Sequence, residues 1–132
     1  MVVLLFEKRF WGPISNGDKV HSIRPTRKRP IAPGDELSLR GWKGSPYRSK
    51  QEVIRWATCI DVRQIWIDCY GITIEGYERI VDSEDLDLFA RTDGFADWQD
   101  MRQYRNLFYQ LPFIGHFIQW APNEFLTHFE RG

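Results

Sequence analysis

Apolar residues open the chain in a block, Val2 to Phe6, which reads as a short buried strand. Arg9 to Ser15 fits a helical turn whose length Pro13 limits. Asn16-Gly17-Asp18 is a turn signal with Gly17 free to take a positive φ, and Lys19 to Arg24 then reads as extended. Arg27 to Pro33 has three consecutive basic residues, two prolines and no apolar period, so it reads as a loop. After a second turn at Pro33-Gly34-Asp35, Glu36 to Arg40 alternates polar and apolar in the half-buried strand pattern. Gly41 to Lys50 reads as a loop. Val53 to Val81 is dense in β-branched and aromatic residues and breaks at Gly71 and Gly76, which predicts two long strands, with room for a third, antiparallel and strongly twisted.

The pattern then turns helical. Ser83 is placed to cap a short helix through Leu88, with Glu84 and Asp85 favourable in its first turn. Asp97 is the expected N-cap of the clearest helix, which runs to about Phe108 on a stripe of Trp98, Met101, Tyr104 or Arg105, and Phe108. Gly115 to Trp120 reads as a final strand, and residues 121–132 as a C-terminal tail with little to specify it. Many strands with two or three short helices predict one domain over 1–132, of α+β class: a small mixed β-barrel with short peripheral helices.

Composition narrows the classes. A chain of 132 residues suits one domain with a sizeable core. Hydrophobic residues at 42% and charged ones at 27% exclude a disordered chain. No apolar run approaches the roughly 20 residues of a membrane helix. The opening Met-Val-Val-Leu-Leu-Phe is too short for a signal-peptide core, so the expectation is a soluble, cytoplasmic protein with no membrane partner. Cys59 and Cys69 are too few for a disulfide scaffold and read as reduced core residues. His21, His116 and His128 are scattered, and neither a metal-ligand spacing, a phosphate-cradling glycine loop nor a Gly-x-Ser-x-Gly elbow occurs, so no metal and no cofactor is expected.

The charge pattern changes the picture more. Eighteen basic and eighteen acidic residues give a net charge of zero, which by itself argues against coating nucleic acid by bulk electrostatics. Along the chain the zero divides. From Lys19 to Arg55 ten basic residues face three acidic ones, a net +7; from Asp61 to Asp100 eleven acidic residues face three basic ones, a net −8. Either the halves pair across the fold as surface salt bridges, each worth little, or the basic half attracts a polyanion locally.

Gly17-Asp-Lys19-Val-His-Ser22-Ile-Arg24 carries a glycine turn, a lysine, a hydroxyl three residues later and then Ile-Arg. This cadence resembles the first signature of ASCH domains, relatives of the PUA RNA-binding fold. Pro33-Gly34-Asp35-Glu36-Leu37 is similar to the family's strand-opening turn. Thr92-Asp93-Gly94-Phe95 with the following helix is similar to its carboxylate-Gly-Phe helix start, and Phe113 to Trp120 to its closing strand. The resemblance runs from Phe6 to Trp120. It implies a PUA-like β-barrel with a basic cleft for single-stranded RNA or a modified nucleotide. In family members that are amidohydrolases of 4-N-acetylcytidine, the lysine, hydroxyl and carboxylate are the reactive set, which by position implies Lys19, Ser22 and Asp93 as catalytic residues. Ser stands here for Thr, and Asp for Glu, the latter shortening the reach by one methylene. Other members act as ribonucleases or only bind.

The residues themselves leave alternatives open. Lys19, with a lowered pKa in a cleft, would deprotonate Ser22 for attack on an acyl carbon while Asp93 protonates the leaving amine. Residues three apart in a strand face opposite sides, so Lys19 and Ser22 meet only if the strand begins after Lys19 or a bulge intervenes. Lys19 otherwise is a solvated turn residue, and Asp93 a turn residue bonding its own backbone. Arg24 shares a face with Ser22 and is placed to hold a phosphate or carboxylate, or to pair with Asp93. Trp42, Lys43, Tyr47, Arg48 and Lys50 interleave aromatics with cations on one loop, which suits base stacking and phosphate contact. Trp11 beside Phe10 reads as packing, and Trp56, Trp66, Trp98 and Trp120 as core or sheet-face residues. The expected function is RNA or nucleotide binding. The alternatives are hydrolysis of acylated nucleosides, ribonuclease action, and a protein-interaction module whose acidic half mimics nucleic acid.

Overall fold

The computed structural model describes residues 1–131; Gly132, the last residue of the expected tail, lies outside the described residues. Seven strands divide between two sheets. The first sheet has the order β1-β3-β4, from Val2–Leu5, Glu36–Trp42 and Gln51–Thr58, with β1 parallel to β3 and β3 antiparallel to β4. The second has the order β2-β7-β5-β6, from His21–Pro25, Phe113–Gln119, Asp61–Ile67 and Ile72–Ile74, and is antiparallel throughout. Three α-helices, α1 (Trp11–Asn16), α2 (Ser83–Thr92) and α3 (Trp98–Tyr109), and two 3-10 turns, Lys8–Phe10 and Glu124–Phe129, complete the α+β fold. Among the described residues no strand pairing joins the two sheets into a closed barrel.

Both sheets share one core. Leu4, Leu37 and Leu39 from the first and Ile23, Ile65, Ile67 and Phe117 from the second are buried in it with Phe89 of α2 and Met101 of α3. The alternation seen in Glu36 to Arg40 puts Leu37 and Leu39 inside, as the period requires. β4 lies at a sheet edge, is largely exposed and carries Glu52 and Arg55, charges that discourage pairing with another strand.

The structure revises several expectations. The stretch from Val53 to Val81 holds three strands, and the first belongs to a different sheet from the other two. The crossing is at Cys59 and Ile60, whose amides bond to Asp35 O and Gln119 O and so pass the chain from one sheet to the other. Cys69 is exposed rather than core, because it sits in the turn that Asp68 closes by accepting from the Tyr70 and Gly71 amides. α2 starts one residue after its true cap, Asp82, which accepts from the Glu84 and Asp85 amides, and runs past Leu88 to Thr92. Asp97 caps α3 as expected, accepting from the Asp100 amide. The expected tail is packed: Leu126 and Asn123 are buried, and the Asn123 side chain accepts from the Phe125 amide. No described helix is long and apolar enough to cross a membrane.

Candidate functional site

A cleft of about 610 Å³ opens where four parts of the chain meet. Phe6 and Phe10 come from the segment after β1, Ser22 and Arg24 from β2, Trp42 from the end of β3 with Tyr47 from the loop after it, and Tyr104, Phe108 and Tyr109 from α3. Its cations are Lys8, Lys19, Arg24 and Arg105, against one lining carboxylate, Glu7. Exposure grades the cleft: Tyr47 at 84% and Phe108 at 54% form the mouth, while Lys19 and Arg105, each at 4%, lie at the floor. Tyr47 holds a positive φ of 63°, a conformation that costs a residue with a Cβ, and its ring lies 5.2 Å from that of Trp42.

Behind the floor lies Asp93, with no exposed surface. Its Oδ1 accepts from Lys19 Nζ at 2.6 Å and its Oδ2 from Arg105 NH2 at 3.2 Å, and its backbone carbonyl accepts a second Lys19 bond at 2.8 Å. His21 Nε2 is 3.0 Å from Oδ1. The local sequence explains why Asp93 sits here. Gly94 follows α2 with φ +95°, its amide bonds to Arg91 O, and the Phe95 amide reaches back to Ala90 O. This is the Schellman ending of a helix, and it fixes Asp93 as the C-cap with Phe95 turned into the core. Asp93 is therefore a buried anchor and not a turn residue bonding its own backbone.

The charges perturb one another. Burial favours protonated Asp93, but Lys19, His21 and Arg105 outweigh it and hold the carboxyl well below the usual range. Burial pulls Lys19 down to about 8 despite Asp93, with Arg105 and Arg24 adding to the effect. Burial likewise lowers His21, which stays neutral at pH 7. An unfolded chain keeps the Lys19 proton up to its ordinary value of 10.5, whereas the folded one releases it near 8. Between these values the unfolded state binds more protons, so this contribution to stability grows as pH rises. Urea unfolding of the wild type and of Lys19→Met at pH 8 and pH 10 is expected to show the wild type gaining on the variant. A constant difference would contradict it.

Of the residues singled out from the sequence, Lys19, Ser22, Arg24, Trp42 and Tyr47 line this one cleft. Lys19 precedes β2, its amide bonded to Pro13 O, so the strand starts after it and the alternation does not separate it from Ser22. Arg24 Nε donates to Ser22 Oγ at 2.7 Å, which is the shared face the alternation predicts, and its NH2 donates to Leu5 O at 2.7 Å. It does not pair with Asp93. Asp93 stands behind the cleft wall and does not line it, and its neighbours keep its carboxyl ionised, so it holds no proton to give a leaving amine. Lys43, Arg48 and Lys50 lie on the same loop as Tyr47 without lining the cleft. Trp11 packs: its indole N–H donates to Phe6 O and its ring covers Gly41, where a Cβ would collide with it. Trp56 and Trp66 occupy exposed sheet faces and Trp120 the core.

Arg105 escaped the sequence reading because its place in the α3 stripe made it interchangeable with Tyr104 as a core position. Among the described residues, Lys19 alone of the ten cations between Lys19 and Arg55 forms a salt bridge, so the two charged halves do not neutralise each other by pairing. Nor do three His, Cys, Asp or Glu side chains gather as metal ligands among the described residues. No family model, curated protein or solved structure matches the chain.

Proposed function

We propose that this chain is an ASCH-like, PUA-related domain that binds a nucleotide or a short single-stranded RNA in the cleft between β2, the β3–β4 loop and α3. One observation carries the reading: seven aromatic rings and four cations, against one carboxylate, line a space of about 610 Å³. That volume suits a ligand of nucleotide size. Aromatic faces stack on a base and guanidinium groups donate to phosphate oxygens, so the two kinds of lining residue match the two parts of a nucleotide. The cations of the basic half that lack an acidic partner supply the longer-range attraction.

Fluorescence anisotropy with a short labelled single strand tests the reading. Affinity is expected to fall as salt rises, because phosphate contacts release counterions. Trp42→Ala is expected to cost about 1–3 kcal/mol of binding, the worth of one base stacked on an aromatic ring. Undetectable binding at low ionic strength, or binding indifferent to salt, would overturn it.

A second reading, hydrolysis of an acylated nucleoside, draws on the Lys19 ammonium held near pKa 8 on the same cleft as the Ser22 hydroxyl. In it Ser22 Oγ attacks the acyl carbon, and neutral Lys19 takes the hydroxyl proton and returns it to the amine as the C–N bond breaks. Water then hydrolyses the ester left on Ser22 to free the carboxylic acid, and Asp93 orients Lys19 rather than donating a proton itself. Release of cytidine from 4-N-acetylcytidine, abolished in Lys19→Ala, is the expected result. An inactive wild type would remove this reading and leave binding intact.

A further inference from the structure

Resting on the nucleotide reading, we infer that the cleft floor is a seat for a terminal phosphate, the phosphomonoester at the end of a nucleotide or RNA strand, held between Arg24 and Arg105. The floor holds more positive charge than its own residues can answer. Lys19, Arg24 and Arg105 lie close enough to influence one another's charge, and one carboxylate, Asp93, stands among them. Asp93 spends Oδ1 on Lys19 and Oδ2 on Arg105. Arg24 has no anionic partner among the described residues: it donates only to the Ser22 hydroxyl and the Leu5 carbonyl. Arg105 is buried, and its Nε has no hydrogen-bond partner at all.

A half-buried guanidinium without an anion, at Arg24, and a buried N–H without an acceptor, at Arg105, both cost free energy that a ligand could recover. The missing group must therefore carry negative charge and several acceptor oxygens. A phosphomonoester has a charge of about −1.5 to −2 and three strong acceptor oxygens, whereas an internal phosphodiester is a singly charged link with chain on both sides. Guanidinium forks match such oxygens two at a time. The depth of Arg105 favours an end over an internal link, since a strand passing through would have to bury chain on both sides of its phosphate. With the phosphate at the floor, the base reaches the aromatic mouth at Trp42 and Tyr47.

The test uses the full chain and six-nucleotide single strands of one sequence carrying hydroxyls at both ends, a 5′-phosphate or a 3′-phosphate, together with inorganic phosphate as competitor. At pH 7.5 one phosphorylated strand is expected to bind about tenfold more tightly than the hydroxyl-ended strand, or better, as a charge-assisted pair of contacts warrants. The preferred end identifies the source of the phosphate. In Arg24→Gln the preference is expected to disappear, while thermal unfolding shows the variant folded. A second measurement needs no variant: the preference of the wild type should shrink as pH falls through about 6, where the monoester loses its second charge. Equal binding of all three strands at pH 7.5 would overturn the terminal-phosphate inference and leave nucleotide binding standing. Inorganic phosphate bound through Arg24 with no strand bound would overturn the nucleotide reading and support the anion seat. Binding of neither would overturn both.

Discussion

Asp93→Asn is expected to cost about 3–5 kcal/mol of folding stability, the range for stranding a buried charge by removing its partner. The change is nearly isosteric, so the loss comes from chemistry rather than from a cavity. Asp93 faces donors from Lys19 and Arg105 and the ring nitrogen of His21, and only a carboxylate offers acceptors at both its oxygens. An amide satisfies one side and turns its own N–H₂ toward a donor on the other. Two cations at 4% exposure then remain without an anion. Urea unfolding at pH 7 gives the size of the effect, and a loss under about 1 kcal/mol, the scale of one ordinary neutral hydrogen bond, would show that Asp93 does not hold the floor together. Adding Lys19→Met to Asp93→Asn removes one stranded cation, so the double variant should recover part of the loss. Strict additivity of the two changes would deny the coupling that a distance of 2.6 Å requires.

Gly94→Ala should cost about 2–4 kcal/mol, because it adds a left-handed backbone penalty to an overpacked contact. At φ +95° an L side chain is strained whatever the space around it, and here the space is also taken. A Cβ at Gly94 would lie 2.7 Å from Phe10 Cδ1 and 3.6 Å from Lys19 Cδ. Phe10 lines the cleft and packs edge-on against Phe95 and Tyr104, so relief by moving Phe10 would disturb the cleft wall. Gly17→Ala separates the two causes. Gly17 has φ +91° with nothing within 4 Å of the new methyl, so it should lose only the backbone term of about 1–2 kcal/mol. Equal losses at the two glycines would mean that the contact with Phe10 carries no energy.

Both predictions turn on residues whose local role the sequence shows and whose partners it does not. Thr92-Asp93-Gly94-Phe95 contains a helix stop, yet the helix before it was expected to end at Leu88. The acidic run around it favours the first turn of a helix and says nothing about the last. Asp93 then reads as a turn residue or a catalytic acid, because nothing adjacent in sequence shows that two cations and an imidazole surround it. Arg105 is 12 residues away along the chain and Lys19, which makes the shortest contact, is 74 away. Their meeting depends on the site where Lys19 enters β2 and on the helix end that fixes Asp93. In the same way, Val53 to Val81 shows strand character throughout, but the strand content of a segment does not reveal which sheet it joins. That is decided at Cys59 and Ile60 by amides bonding to Asp35 and Gln119, residues of two other parts of the chain.

By itself, then, the sequence determines what depends on near neighbours: the turns at Gly17 and Gly34, the Asp97 cap, the alternation that buries Leu37 and Leu39, and the aromatic and basic character of the loop at Trp42 and Tyr47. These follow from backbone sterics, hydrogen-bond capping and the two-residue period, each needing only a few adjacent residues. The tertiary structure alone decides where charge is answered and where it is left over. Packing two sheets and α3 against one core buries Lys19 and Arg105 around Asp93 and leaves Arg24 without an anion beside them. A net charge of zero describes the whole chain, whereas a buried group responds to the few charges within a few ångströms of it, where the interior screens them least.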